Sequence, residues 1–202
     1  MASLQLLVFA GPNGSGRSSI TTFFPITGNY INADVIQAYL HCDTFTAAKK
    51  ATATRNYCIE HKQSFTFETV LSSYHSVNTI QEAQRAGYDI TMLYVLTCDP
   101  KINVSRVNAR VAAGGHSVPE DKIISRYTKS LGLLPEVIPL CRRVLIFDNS
   151  DDRSSGGSPN LIVSIKDGHV SITPTAYWPK ENILALLQGK YTPSESKSDF
   201  KG

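Results

Sequence analysis

The strongest chemical signal in the sequence is the segment 11–18. It reads Gly-Pro-Asn-Gly-Ser-Gly-Arg-Ser and matches the phosphate-binding pattern G-x-x-x-x-G-K-[ST], with Arg17 in place of the usual lysine. Glycines allow the backbone to wrap phosphates so that its N–H groups face the negative charge. Such a turn can also be a simple tight connection, but the apolar run before it and the hydroxyl that closes it favour a nucleotide site. The predicted nucleotide-binding residues are Gly11, Pro12, Asn13, Gly14, Ser15, Gly16, Arg17, Ser18 and Ser19.

The last two residues of this loop have separate predicted roles. The Ser18 hydroxyl is expected to complete the coordination of a Mg²⁺ ion that bridges the β- and γ-phosphates. Arg17 keeps the charge of a lysine, but its planar guanidinium is bulkier than an ammonium group. The sequence therefore predicts Mg²⁺-dependent binding of ATP or GTP as phosphate donor, with transfer slowed by Arg17.

Two carboxylates lie at the ends of short strand-like runs. Asp34 follows the run 29–32, and Glu68 ends the run 64–68. Ligands of open parallel sheets bind at the carboxyl ends of strands, so both residues are candidates for substrate contact. Asp34 is suited to act as a general base, or alternatively to cap the next helix in a capping box with Gln37. Glu68 has the alternative of a structural hydrogen bond.

Three arginines on two predicted helices are candidates for phosphate contacts. Arg106 and Arg110 are four residues apart on one helix, and Arg126 lies on the next. Phosphoryl transfer develops charge on non-bridging oxygens, which cationic side chains stabilise. The alternative for each is the usual solvated position of arginine on a helix surface.

The elements that must position these residues alternate between short apolar runs and longer helical stretches, as in a parallel sheet covered by helices. Strands are predicted over 4–10, 29–32, 64–68, 89–96 and 144–147, followed by a hairpin over 161–165 and 170–172. Helices are predicted over 17–24, 35–40, 45–62, 76–86, from Pro100 to about 113, from 117 to 131, and over 179–187. In the helix after Pro100, Val104, Val107 and Val111 are expected to face the core.

The whole chain fits one α/β domain. Its 202 residues are 42% hydrophobic and 18% charged, which excludes a wholly disordered chain. We expect a single domain over 1–191 with helices on both faces of the sheet, a helical lid over about 106–131, and a polar tail over 192–202. A net charge of +3, the lack of a signal segment or membrane span, and four widely spaced cysteines favour a cytoplasmic protein, with nucleic acid an unlikely ligand.

Five segments, in this order and spacing, resemble the zeta toxin family of P-loop kinases, especially its short chromosomal members. Beside the loop 11–18, they are Ile31-Asn-Ala-Asp34, Ser64-Phe-Thr-Phe-Glu-Thr-Val-Leu-Ser72, the run 106–120 with its two arginines, and the run 124–131. The likeness covers roughly residues 4 to 150. Larger members have a threonine where this sequence has Val70.

The resemblance implies a three-layer P-loop kinase fold and the transfer of a γ-phosphate to a hydroxyl of a small nucleotide-like substrate. The better-known zeta toxins phosphorylate UDP-N-acetylglucosamine, and an antitoxin protein blocks their nucleotide site. By resemblance, Asp34 is the general base and Glu68 with Thr69 binds the substrate. Arg17, Arg110 and Arg126 would assist transfer, and Arg106 would contact the nucleotide.

Two other functions fit the sequence in part. The first is a nucleotide-binding interaction protein with little turnover because of Arg17. The second is a kinase that acts on the 5′-hydroxyl of a nucleic acid, although no long basic stripe with interleaved aromatic residues supports it.

Overall fold

The computed structural model describes residues 3–115, 117–151, 158–189 and 191. His116, the segment 152–157 and the polar tail predicted over 192–202 lie outside the described residues. The strands are β1 (Gln5–Ala10), β2 (Asn29–Ile31), β3 (Phe65–Thr69), β4 (Asp89–Leu96), β5 (Arg143–Asp148), β6 (Asn160–Lys166) and β7 (His169–Ile172). The helices are α1 (Arg17–Thr21), α2 (Ala33–Leu40), α3 (Thr44–Glu60), α4 (Tyr74–Arg85), α5 (Pro100–Ala112), α6 (Glu120–Val137) and α7 (Lys180–Leu186), with a 3₁₀ turn at Ile138–Leu140.

The seven strands form one mostly parallel sheet in the order β2-β3-β1-β4-β5-β6-β7. The first five are parallel to their neighbours, and β6 and β7 add an antiparallel hairpin. β1 lies between β3 and β4 and is apolar along almost its whole length, as a strand buried on both faces must be. The predicted α/β class and mostly parallel sheet are confirmed.

Helices cover the two faces of the sheet unequally. Leu6, Val8 and Ala10 of β1 face the larger core, to which α3, α4, α6 and α7 contribute buried residues. The alternate residues Leu7 and Phe9 face a smaller cluster whose helical member is Ile20 of α1. The alternation follows from the two-residue period of a strand. Helices therefore lie on both faces, but the second layer is thin.

Three details of the predicted helices are wrong. α1 ends at Thr21 instead of residue 24. α6 begins at Glu120 without a side-chain cap from Ser117, and it continues to Val137 instead of residue 131 because its last turns bury Leu133 and Leu134 in the larger core. Val111 is exposed, since Val104 and Val107 already complete the small cluster between α5 and α6.

Two further observations concern the thiols and the length of the helices. All four cysteines are free thiols. No helix within the described ranges is both long enough and apolar enough to cross a bilayer.

Candidate nucleotide and acceptor site

The candidate residues meet at one edge of the sheet, where five parallel strands end. β1 leads into the loop 11–16, β2 into Asn32 and Asp34, and β3 ends at Thr69 beside Glu68. β4 leads into Thr97 and α5, and β5 leads into Asn149. Open α/β sheets bind their ligands at this edge, so the topology alone collects the predicted site.

The loop after β1 has the backbone that the glycine pattern predicts. Gly14 and Gly16 have φ angles of 76° and 96°, a region that other residues rarely adopt. A Cβ atom on Gly14 would lie 2.5 Å from the Asn103 carbonyl oxygen, and one on Gly16 would lie 2.1 Å from Asn149 Nδ2. Only glycine therefore allows the loop to pass this close to its two neighbours.

Two asparagines hold the loop from behind, and neither was predicted from the sequence. Asn103 Nδ2 donates to the Asn13 carbonyl at 2.7 Å, and Thr97 Oγ1 donates to the Asn103 side chain. Asn149 Nδ2 donates to the Ser15 carbonyl at 2.6 Å. Asn103 and Asn149 are buried, so these amides fix the loop conformation before any nucleotide binds. The sequence feature that could have identified Asn149 is its position as a polar residue directly after a buried strand.

Arg17 lies between the loop and the two predicted carboxylates. Its Nη1 donates to the Gly11 carbonyl at 2.9 Å. Burial lowers the pKa of Arg17, while the nearby charges of Glu68 and Asp34 raise it again and Arg110 lowers it. Neither carboxylate forms a salt bridge with Arg17 in the described residues. The guanidinium is thus held by the loop backbone and lies within electrostatic range of both carboxylates, without a salt bridge to either in the described residues.

Ser18 and Ser19 are exposed in the first turn of α1, immediately after the glycines. The described residues hold no group of three or more His, Cys, Asp and Glu side chains that could bind a metal by themselves. The Ser18 hydroxyl fits a Mg²⁺ ion that takes most of its ligands from phosphates and water, which is the usual mode for this ion. The hydroxyl of Ser15 is buried in the loop without a partner among the described residues.

Asp34 does not cap α2, so the alternative prediction that it serves as the helix cap is wrong. Asn32 is the N-cap, and its Oδ1 accepts from the backbone N–H groups of Asp34 and Val35 at 2.8 and 3.4 Å. Asp34 occupies the first turn, is exposed, and lies close enough to Arg17 for the two charges to attract. Because Asn32 already caps the helix, the carboxylate of Asp34 is left available for chemistry.

Glu68 is half-buried next to Tyr30. The Tyr30 hydroxyl donates to Glu68 Oε1, and Asn32 Nδ2 donates to the Tyr30 oxygen at 3.1 Å. Burial and the hydrogen bond to Glu68 raise the pKa of Tyr30 to about 12, so the phenol keeps its proton at neutral pH. This chain of hydrogen bonds connects Glu68 to the cap of α2, and it was not foreseen from the sequence.

Thr69 lies beside Glu68, but its hydroxyl has local partners. It contacts Ser76 Oγ at 2.6 Å and accepts from the backbone N–H of Leu71 at 2.9 Å. The Thr69 carbonyl accepts from the N–H of Gly11 at 3.2 Å. Thr69 thus shapes the turn between β3 and α4 and holds the start of the loop, and its contact with substrate stays a prediction.

The three arginines occupy different places. Arg106 donates to the carbonyls of Asn149 and Asp151 at 2.7 and 2.8 Å, so it braces the segment after β5. Arg110 is exposed and close enough to Arg17 for the two charges to repel. Arg126 Nη1 lies 3.5 Å from Asn13 Oδ1, at the mouth of the loop. The structure thus places Arg110 and Arg126 near the loop, and gives Arg106 a role in supporting it.

Comparison with known proteins identifies the family and the fold of the chain. The family model of the zeta toxin matches residues 16–154. An uncharacterized protein of Haemophilus influenzae is 26% identical over 137 residues, which are 61% of this chain and 92% of that protein.

Two solved complexes share the fold. The AvrRxo1-ORF1:AvrRxo1-ORF2 structure with sulphate ions has a TM-score of 0.69 at 13% identity and covers 96% of this chain. The same complex with ATP has a TM-score of 0.62 at 16% identity and covers 100%. This chain spans 66% of the matched chain in both. A structure from the PezAT chromosomal toxin-antitoxin system of Streptococcus pneumoniae has a TM-score of 0.58 at 14% identity, covering 95% of this chain and 81% of that one.

Proposed function

The chain belongs to the zeta toxin family, and we propose that it is a kinase that transfers the γ-phosphoryl group of ATP or GTP to a hydroxyl of a small nucleotide-like acceptor. The observation that carries this proposal is the position of Arg17, which donates to the glycine loop and interacts electrostatically with both Glu68 and Asp34 at the carboxyl edge of the sheet. A phosphate donor and a hydroxyl acceptor need this arrangement of a cation between a phosphate cradle and a base.

On the donor side, the proposal assigns binding to the loop and charge stabilisation to the cations around it. A nucleoside triphosphate with Mg²⁺ supplies the phosphoryl group when bound. The backbone N–H groups of the loop and the Ser18 hydroxyl would hold its phosphates and metal. Arg110 and Arg126 lie where they can stabilise charge on the transferred group.

On the acceptor side, the exposed carboxylate of Asp34 would orient the hydroxyl and take its proton as the new P–O bond forms. Glu68, fixed by Tyr30 and Asn32, would hold a second hydroxyl of the acceptor. A UDP-N-acetyl amino sugar is the first acceptor to test, because the family includes kinases of that substrate.

A second candidate is a nucleotide-binding protein with little turnover. It is favoured by one contact, the bond from Arg17 Nη1 to the Gly11 carbonyl, since a guanidinium held by the loop backbone is less free to follow a moving phosphoryl group. Two-component complexes among the fold relatives also support an antitoxin-like partner protein for this chain.

One experiment separates the two candidates. The protein is incubated with ATP or GTP, Mg²⁺ and a panel of nucleotide sugars, nucleosides and a 5′-hydroxyl oligonucleotide, and new phosphate esters are detected by mass. The kinase proposal expects an ester on a nucleotide-like acceptor. Tight ATP binding with no ester from any acceptor would support the second candidate instead.

A further inference from the structure

A cavity of about 660 Å³ opens between the start of α2, the middle of α3 and the start of α4. Its walls include Ala33, Lys49, Thr52, Arg55 and His75. Ala33 directly precedes Asp34, so the cavity begins beside the proposed base. Its volume lies in the range that holds a small-molecule ligand.

Arg55 is an unusual component of this wall, because it is a buried cation. The residue is only 8% exposed, and burial lowers the pKa of its guanidinium. Its Nη2 donates to Thr52 Oγ1 at 3.0 Å and contacts His75 Nε2 at 3.2 Å, and its Nε has no partner within the described part of the chain. Among the described residues no carboxylate forms a salt bridge with it.

The contacts of Arg55 fix its orientation but do not neutralise it. The guanidinium lies 5.2 Å from the ring centroid of Phe67, the residue before Glu68 on β3. Thr52 and His75 lie on one edge of the fork, and His75 Nε2 also contacts Thr52 Oγ1 at 2.9 Å. The guanidinium is thus held in place through Nη2, while its Nε–H group has no partner among the described residues.

The charged residue that lines the cavity beside Arg55 is also a cation. Lys49 is a second cation in the wall, placed over the Phe45 ring at 5.0 Å, and the lining residues that the structure describes include no aspartate or glutamate. A buried unpaired charge destabilises a fold, so such a group persists where a ligand completes it. The complement to a fixed guanidinium beside an ammonium is a phosphate group, which a guanidinium binds through two parallel hydrogen bonds.

We infer that Arg55 is the residue that recognises the acceptor, by binding a phosphate group of it in this cavity while its hydroxyl lies at Asp34. The inference rests on the proposed function and adds to it the residue that selects the acceptor, through a phosphate group that the acceptor carries. Arg55 does not touch the reacting atoms. It determines which hydroxyl compound is held long enough to receive the phosphoryl group.

The test uses the full chain saturated with ADP, so that the glycine loop is filled, and titrates it with inorganic pyrophosphate by calorimetry. The variants are Arg55→Met, Arg55→Lys and the control Arg85→Met, which removes the same charge from an exposed position on α4. We expect Arg55→Met to weaken pyrophosphate binding at least about tenfold, and Arg55→Lys less, because lysine keeps the charge but loses the fork. ADP affinity and the control should be unchanged.

Stability gives an independent readout. Removing an unpaired buried charge in favour of an apolar side chain of similar size is expected to leave the melting temperature of Arg55→Met unchanged or higher. Equal pyrophosphate binding by Arg55→Met and Arg85→Met, or no binding by the unaltered protein, would overturn the inference. If Arg55→Met does not fold, unchanged pyrophosphate affinity in Arg55→Lys would overturn it equally. None of these measurements needs turnover, so failure here is distinct from failure to find a kinase reaction.

Discussion

The donor side and the acceptor side of the site are built differently. On the donor side, Asn103 and Asn149 hold the glycine loop through buried hydrogen bonds, and Arg106 braces the segment behind it. On the acceptor side, Asp34 is exposed and Arg55 is buried without a counter-ion among the described residues. In the first region the protein's own side chains hold the loop backbone, whereas the second contains a buried cation with no salt bridge among the described residues.

The apolar surface shows the same difference. Val35, Tyr39 and Phe45 on α2 and α3 are 54%, 82% and 69% exposed, although they are large hydrophobic residues. The residues that directly follow the glycines of the loop, Ser18 and Ser19, are exposed but polar. A preformed loop suits a donor shared by many kinases, while an open, incompletely paired region is where the choice of acceptor resides.

The largest expected effect is that of Asp34→Asn on phosphoryl transfer. Loss of a general base lowers the rate by roughly 10² to 10⁴-fold, while ATP affinity should stay the same because the loop is untouched. The melting temperature should also be unchanged, since Asn32 caps α2. Product formation and ATP binding are measured in parallel.

Asp43→Asn is the matched control for this change. Asp43 caps α3 with its carboxylate, and asparagine caps equally well, so transfer should continue at the original rate. Normal transfer by Asp34→Asn would exclude Asp34 as the base and leave no residue assigned to take the proton of the acceptor hydroxyl.

The next effect concerns the cations near the loop. Arg110→Ala and Arg126→Ala should lower kcat more than ATP affinity, because charge on the transferred group is greatest during transfer. A well-placed cation contributes on the order of 10³-fold in phosphoryl transfer. Single-turnover rates measure the effect, and a loss under about threefold at both positions would assign these arginines to the solvent face.

A smaller effect is expected from the support of the donor side. Asn149→Ala leaves the buried Ser15 carbonyl without its donor and opens space beside Gly16. We expect the bound conformation of the loop to be destabilised by about 1–3 kcal/mol, so that ATP binding weakens about tenfold or more. Asn78→Ala on the exposed face of α4 is the control. Unchanged ATP affinity in Asn149→Ala would mean that the donor side is not held from behind as described.

The smallest expected effect is that of Arg17→Lys. Lysine lacks the second nitrogen that reaches the Gly11 carbonyl, and its compact ammonium can follow the phosphates. We expect kcat to rise by about threefold with little change in ATP affinity. A kcat that is equal or lower with lysine would show that the guanidinium fits this loop.

The donor side could largely be predicted from the sequence. Its glycine spacing is a local pattern that corresponds to one backbone conformation, and the strand before it is apolar along almost its whole length. The supports were not predictable, because Asn103 and Asn149 are 90 and 134 residues away from the loop atoms that they contact. Only the parallel sheet order brings them together.

The acceptor side was harder to predict. Asp34 was found through its place after a strand, but Asn32 rather than Asp34 proved to cap α2. Nothing in the sequence indicated that Arg55 is buried, because an arginine in an alanine-rich helix normally points to solvent. Its burial depends on Phe67 and His75, which come from β3 and the start of α4, so only the folded chain shows it.

The most direct test of the proposed mechanism is the fate of an isotopically labelled γ-phosphoryl group. The protein is incubated with ATP labelled on its γ-phosphoryl oxygens, Mg²⁺ and a phosphorylated hydroxyl acceptor such as UDP-N-acetylglucosamine, and the acceptor is then analysed by mass. We predict an ester that retains all of the labelled non-bridging oxygens, as direct transfer to the hydroxyl at Asp34 requires. Labelled inorganic phosphate with no ester on any phosphorylated acceptor would contradict the mechanism.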